Sequence, residues 1–298
     1  PGRQKRSPHL QTGSLQTCTN IYFMKLKVGL AQITPKLGNL EANLERHLQA
    51  IEEAAESGVE LLVFPELSLT GYRLRDLTFS VAIQPSYKNP IFARLLEASR
   101  GMDLVVGFVE ADTRQKFFIS AAYLSGGEVV HLHRKVYLPT YGMFDEGRYF
   151  AWGDHLRAFN TRFGRVGLLI CEDFWHVSAA YTLWLDGADM LILTSASPGR
   201  GLATEQKIGS ARWVEHINQA YASMFTNFVL HTNRIGFEDG VTFYGGSTIF
   251  GPEGNLLNQG PYYEEAIVMA KLDLNELRRA RIRLPLLRDE RVGLTRRE

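Results

Sequence analysis

From residue 24 onward, short apolar runs alternate with longer stretches in which apolar residues recur every third or fourth position. KLKVGLAQIT (25–34) alternates as a strand does, and NLEANLERHLQAIEEAAESG (39–58) has helical spacing, with Gly58 placed to close the helix in the left-handed conformation. VELLVFPEL (59–67) is almost continuously apolar, the pattern of a strand covered on both faces. A second helix is predicted over NPIFARLLEASRG (89–101) and a strand over DLVVGFVE (103–110). FFISAAYLSGGEVVHLHRK (117–135) reads as a hairpin turning at Gly126-Gly127, and LRAFNTRFGRVGLLICED (156–173) as another turning near Gly164.

The second half echoes the first. A short helix leads into LDGADMLILTSAS (185–197), which has the same order of Gly, acid, apolar strand and polar end as AESGVELLVFPEL (55–67). A helix is predicted over roughly 205–225, and NFVLHTNRIG, STIFGPEGNLLNQG and EEAIVMAKLDL read as strands and turns. No linker rich in Pro, Gly or Ser divides the chain, so the pattern predicts one α/β domain, about 24–275, with helices packed on sheets. Residues 1–23 lack periodicity and an apolar signal core and read as an extension. The Arg-rich end, 276–298, reads as a solvated helix and tail, with wrapping of a partner subunit as the alternative.

Composition narrows the function classes. An apolar share of 45% in 298 residues supports a sizeable core. Lys and Arg number 33 against 32 acids, so charge gives no argument for nucleic acid, and no apolar run is long enough to span a bilayer. Cys18 lies in the polar extension and Cys171 at a strand end, which argues against a disulfide framework and for a reducing, cytoplasmic setting. His131-x-His133 lacks a third ligand and reads as hairpin surface, so no metal is expected. GFEDGVTFYGG lacks the phosphate-loop pattern, and no cofactor is expected.

Three polar residues close apolar strands: Glu66, Lys135 and Cys171. Taken singly they have plain readings, as a strand cap facing water, a surface lysine and a core thiol. Taken together they form a sensible chemical set, because sites in layered α/β folds gather outside the carboxyl ends of strands. A thiol attacks as thiolate, a neighbouring lysine and a helix N-terminus are expected to lower its pKa, and a carboxylate can take its proton. The lysine also offers a positive donor to the oxyanion of a tetrahedral intermediate. Such a set would attack a carbonyl or nitrile carbon.

FPELSLTGY around Glu66, HRKVYLPTYGMFDEGRYF around Lys135 and GLLICEDFWH around Cys171 resemble, in order and spacing, the three signature blocks of the nitrilase (carbon–nitrogen hydrolase) superfamily. The resemblance implies a four-layer αββα sandwich, a Glu-Lys-Cys triad and dimers or larger homo-oligomers. LPTYGMFDEGRYF, CED-x-W, SASP (195–198) and GFEDGVTFYGGSTIFGPEG are further similar to the glutaminase domain of glutamine-dependent NAD synthetases. No SGG-x-DS loop of a synthetase is present, so the resemblance implies a stand-alone thiol amidase acting on a glutamine-like carboxamide. An N-carbamoyl hydrolase and an ammonia supplier to a separate synthetase are the alternatives. A true nitrilase fits less well, since Glu-Asp rather than Trp-Glu follows the cysteine.

By the same resemblance Glu146 is an auxiliary acid that orients Lys135 or assists water. Tyr72, Phe144, Glu172, Trp175 and Ser197 match substrate-pocket positions, with a core role open for Trp175. The backbone N–H of Asp173 or Phe174 would complete the oxyanion hole. The chain departs from that branch at SPGRGLATEQ, where Arg200 between two glycines is placed to grip a carboxylate instead.

Overall fold

The structure, a computed structural model, describes residues 24–199 and 209–295. Two six-stranded sheets lie face to face. The first has the order β14-β1-β2-β3-β4-β5, with β1 at Lys25–Gln32, β2 at Leu61–Val63, β3 at Asp103–Ala111, β4 at Phe117–Ser125, β5 at Glu128–Arg134 and β14 at Ala266–Asp273. The second has the order β13-β12-β9-β8-β7-β6, with β6 at Phe159–Thr161, β7 at Gly164–Ile170, β8 at Met190–Ser195, β9 at Phe228–Asn233, β12 at Thr248–Phe250 and β13 at Leu256–Gln259. A ribbon of β10 (Ile235–Glu238) and β11 (Val241–Tyr244) stands apart from both.

Alternation along each strand sends one set of side chains between the sheets and the other toward helices. Leu30, Val63, Val105, Ile170, Ile192 and Leu230 meet in the inter-sheet core. Leu62, Val106 and Phe108 instead pack under α1 (Leu40–Glu56) and α3 (Pro90–Ala98), with a single turn, α2 (Thr78–Val81), between those two helices. Leu169, Leu191 and Leu193 pack under α4 (Val177–Leu185) and α5 (Gly209–Phe225). The result is the αββα sandwich expected, as one domain. The first four residues of the helix expected over 205–225, and Arg200, lie outside the described residues.

Local chemistry explains the element ends. Asn39 and Asn89 cap α1 and α3 by accepting from the N–H groups of Ala42 and Phe92, each at 3.0 Å, and Pro90 supplies the preset first turn of α3. Gly58 follows α1 at φ 71°, as its position predicts, and Gly126-Gly127 turns the β4–β5 hairpin with both φ angles positive. The run 59–67 is strand only over Leu61–Val63, because Pro65 cannot donate to a ladder and the chain turns at once, with Leu67 at φ 50°. At the Arg-rich end, α6 (Asn275–Arg283) buries Leu277 and Ala280, and Arg281 donates to Asp189 at 2.6 Å.

The expected hairpin-surface position of His133 is corrected. Its ring is buried and its Nε2 lies 2.8 Å from Asp173 Oδ2, because it is directed at the turn that follows β7 in the second sheet. His131 stacks on Phe159 at 4.1 Å, and burial lowers its pKa to about 4. Among the described residues no helix is long and apolar enough to cross a membrane.

The echo between the halves has a spatial meaning. β2 is the middle of three parallel strands, β1-β2-β3, and β8 is the middle of β7-β8-β9. The Glu66 turn after β2 is pressed against β3 at Gly107, where a Cβ would lie 2.4 Å from the Pro65 carbonyl oxygen and 2.6 Å from the Leu67 nitrogen. Gly107→Ala is therefore expected to destabilise the fold by about 1–3 kcal/mol, read as a lowered urea midpoint. A midpoint equal to wild type would mean that the turn moves aside without cost.

Candidate active site

Glu66, Lys135 and Cys171 do come together. Lys135 continues β5, its N–H bonded to the Ile119 carbonyl at 2.8 Å, and its side chain enters the space between the sheets with no exposed surface. Its Nζ donates to Glu66 Oε1 and to Glu146 Oε1, each at 2.8 Å. Glu66 is also fully buried, and its second oxygen accepts the Ala196 N–H at 2.9 Å. That bond joins the turn after β2 to the turn after β8, so the two echoing strand ends meet at one carboxylate.

Glu146 begins a short 3₁₀ turn, Glu146–Arg148, whose first N–H is held by the Pro139 carbonyl at 3.1 Å. Its Oε1 also accepts from the Tyr72 hydroxyl at 2.6 Å, while Oε2 is buried without a hydrogen-bond partner among the described residues. Burial and the nearby Glu66 carboxylate raise the Glu146 pKa to about 7 against the pull of Lys135. Burial by itself would favour loss of the lysine proton. The Glu146 and Glu66 carboxylates outweigh it and hold the Lys135 pKa well above the ordinary value. Two of the three N–H bonds of Lys135 go to these carboxylates, which leaves one for a substrate oxygen. Burial, with Glu146 and Glu66, also keeps Tyr72 a neutral phenol.

Cys171 follows β7 and opens a 3₁₀ turn, Cys171–Trp175, that leads into α4. Its φ is 45°, in the left-handed region, at a cost of about 1–2 kcal/mol for a residue with a Cβ. The leading N–H groups of such a turn are not used within it and point outward as donors. Part of the residue reaches solvent. The expected lowering of the thiol pKa is corrected: burial and the Glu66 charge push it up, and the pull of Lys135 does not offset them. A thiol shifted in this direction holds its proton more tightly than an ordinary cysteine, so its activation calls for a base, and Glu66 is the carboxylate beside it.

The other expected residues divide. Tyr72 and Phe144 meet edge to face at 6.5 Å and, with Glu146, Arg73, Met143 and Tyr149, line a cavity of about 210 Å³. Glu172 accepts from the Tyr141 hydroxyl at 2.9 Å, and Ser197 is buried with its N–H on Asn233 Oδ1 at 2.9 Å. Trp175 does not join them in a core, because it keeps 42% of its surface exposed.

Sequence reasoning missed Glu238 and Arg234. Glu238 accepts the backbone N–H of Tyr72 at 2.9 Å and pairs with the buried Arg234. The signal available was an arginine four residues ahead of a glutamate in an otherwise apolar stretch. Among the described residues no group of His, Cys, Asp and Glu is arranged to hold a metal ion.

The comparisons with known proteins bear on the family and the fold. The family model described as carbon-nitrogen hydrolase matches residues 27–282. A glutamine-dependent NAD(+) synthetase from Thermotoga maritima is 33% identical over 259 residues, which is 85% of this chain and 43% of that protein. A probable nitrilase from Schizosaccharomyces pombe is 27% identical, covering 85% of this chain and 90% of its own length. The chain thus spans less than half the length of the synthetase it matches. Among solved structures, a carbon-nitrogen hydrolase from Helicobacter pylori superimposes with a TM-score of 0.81 at 25% identity, covering 91% of this chain and 97% of that one. A glutamine-dependent NAD+ synthetase from Acinetobacter baumannii gives 0.74 at 27% identity, over 84% and 46%. Since the match runs through all three strand ends that carry the buried acid, the lysine and the thiol, the chain belongs to the carbon–nitrogen hydrolase family of enzymes.

Proposed function

We propose that the chain hydrolyses a small carboxamide of the glutamine or ω-amide kind through a Cys171 thioester, releasing ammonia and a carboxylic acid. The observation that carries this reading is the buried Lys135 held between Glu66 and Glu146 beside the Cys171 thiol. In it Glu66 takes the Cys171 proton as the sulfur attacks the amide carbon. The free N–H of Lys135 and a backbone N–H of the nucleophile turn stabilise the oxyanion. The proton on Glu66 then passes to the departing nitrogen, which leaves as ammonia. Water attacks the thioester with Glu66 again as base, and the acid and thiol are regenerated.

Glu146, with a pKa near neutrality and an oxygen without a partner among the described residues, is suited to hold the amide nitrogen or the attacking water. That the synthetase relatives carry "glutamine-dependent" in their names supports glutamine as the amide. The same likeness supports delivery of the ammonia to an ATP-using partner, and binding to one is the second reading.

Ammonia release from glutamine, asparagine, other ω-amides, carbamoyl compounds and nitriles tests the reading. Release is expected from an amide and is lost in Cys171→Ala; turnover retained in that variant rejects the thiol mechanism. Lys135→Ala is expected to lower kcat by about 10²-fold or more, and a near-wild-type rate would remove the lysine from the chemistry. Alkylation of Cys171 by iodoacetamide should rise only at alkaline pH. Glu66→Gln removes a charge that raises the thiol pKa, so the rise should move down by about one pH unit. An unmoved profile would separate Glu66 from the thiol.

A further inference from the structure

The nucleophile holds a left-handed backbone conformation directly after β7, and something must fix it there. The carboxylate of Asp173, two residues on and fully buried, does more than cap that turn. Its Oδ2 accepts the N–H of Ile170, the residue ahead of Cys171, at 3.0 Å. Its Oδ1 accepts the N–H groups of Val136 and Tyr137, each at 2.9 Å, immediately after Lys135. His133 Nε2, on the same strand as Lys135 and two residues before it, lies 2.8 Å from Oδ2. A carboxylate only accepts, so this ring nitrogen is the one that carries the proton. One side chain thereby receives four N–H groups, from both elements that deliver the thiol and the lysine.

We propose that Asp173, with His133 as its proton-bearing partner, is a positioning residue that sets the Cys171 sulfur against Lys135 and Glu66. Its carboxylate is taken up by these N–H groups and has no part in the proton transfers. It joins the turn of the second sheet to the end of β5 in the first, and so fixes the distance across which the thiol and the lysine share one carbonyl group. Two accepting oxygens are required and the shape alone is not enough. An asparagine has one accepting oxygen and one amide NH₂, and in either orientation the NH₂ faces at least one backbone N–H that the carboxylate accepted.

This inference rests on Cys171 as the nucleophile, and the experiment separates the two. Asp173→Asn is made beside Cys171→Ala, and folding of each is checked by circular dichroism and thermal melting. Asp173→Asn is expected to lose about 10²-fold in kcat with KM changed far less, since a misplacement of about 1 Å costs that much. Its Cys171 alkylation should show an altered pH profile at the same time, which a merely structural role would leave unchanged. His133→Gln, which keeps an N–H donor, should retain more activity than His133→Ala, and this pair decides the matter where Asp173→Asn does not fold. A folded Asp173→Asn with wild-type kcat and alkylation, or equal activity in the two His133 variants, overturns the positioning role while leaving the nucleophile intact. Turnover retained by Cys171→Ala would overturn the nucleophile itself.

Discussion

A lysine with no exposed surface is the constraint around which this fold is arranged. Placing an ammonium group between two sheets carries a desolvation cost of several kcal/mol unless partners surround it. Glu66 and Glu146 supply them, and in turn two buried carboxylates need donors. The Ala196 N–H serves Glu66 and the Tyr72 hydroxyl serves Glu146. Tyr72 is held by Glu238, which is held by Arg234. Each buried polar group thus calls for the next, and the network runs from β5 through both sheets to the β10–β11 ribbon. Charge left uncompensated at any point would favour opening of the inter-sheet core.

The same network sets the reactivity of the thiol. Burial and the Glu66 carboxylate both raise the thiol pKa against the pull of Lys135, so the sulfur gives up its proton less readily than an ordinary cysteine and calls for a base. This differs from a lone cysteine at a helix start beside a cation, where the thiolate is already favoured. A carboxylate beside a neutral thiol keeps the nucleophile dormant toward adventitious electrophiles and ties its activation to proton transfer at Glu66.

Much of this was legible in the sequence, for a physical reason. Strand and helix periodicities are local, and a polar residue closing an apolar strand stands out in one dimension, so Glu66, Lys135 and Cys171 could be read and their blocks compared with a family. Partnerships across the sheets were not legible. His133 looked like hairpin surface because nothing nearby in sequence reveals that Asp173, 40 positions on, lies against it. The direction of the thiol pKa was misjudged because the lysine was counted without the burial of the sulfur and without the carboxylates beside it. The run 59–67 looked like one strand because composition does not reveal how early Pro65 and Leu67 turn the chain.

The hydrogen bond from Ala196 to Glu66 links residues 130 positions apart in the chain. Contacts of such separation require closure of a long loop and form after local structure has been made. During synthesis the first sheet's acid and lysine emerge well before the strand that completes their surroundings. A chain at that stage has helices and hairpins but no assembled chemistry, and its later thiol is an ordinary one until the sheets dock. Assembly of the site therefore waits on the docking of the two sheets, which ties the geometry of the three side chains to the long-range packing of the chain.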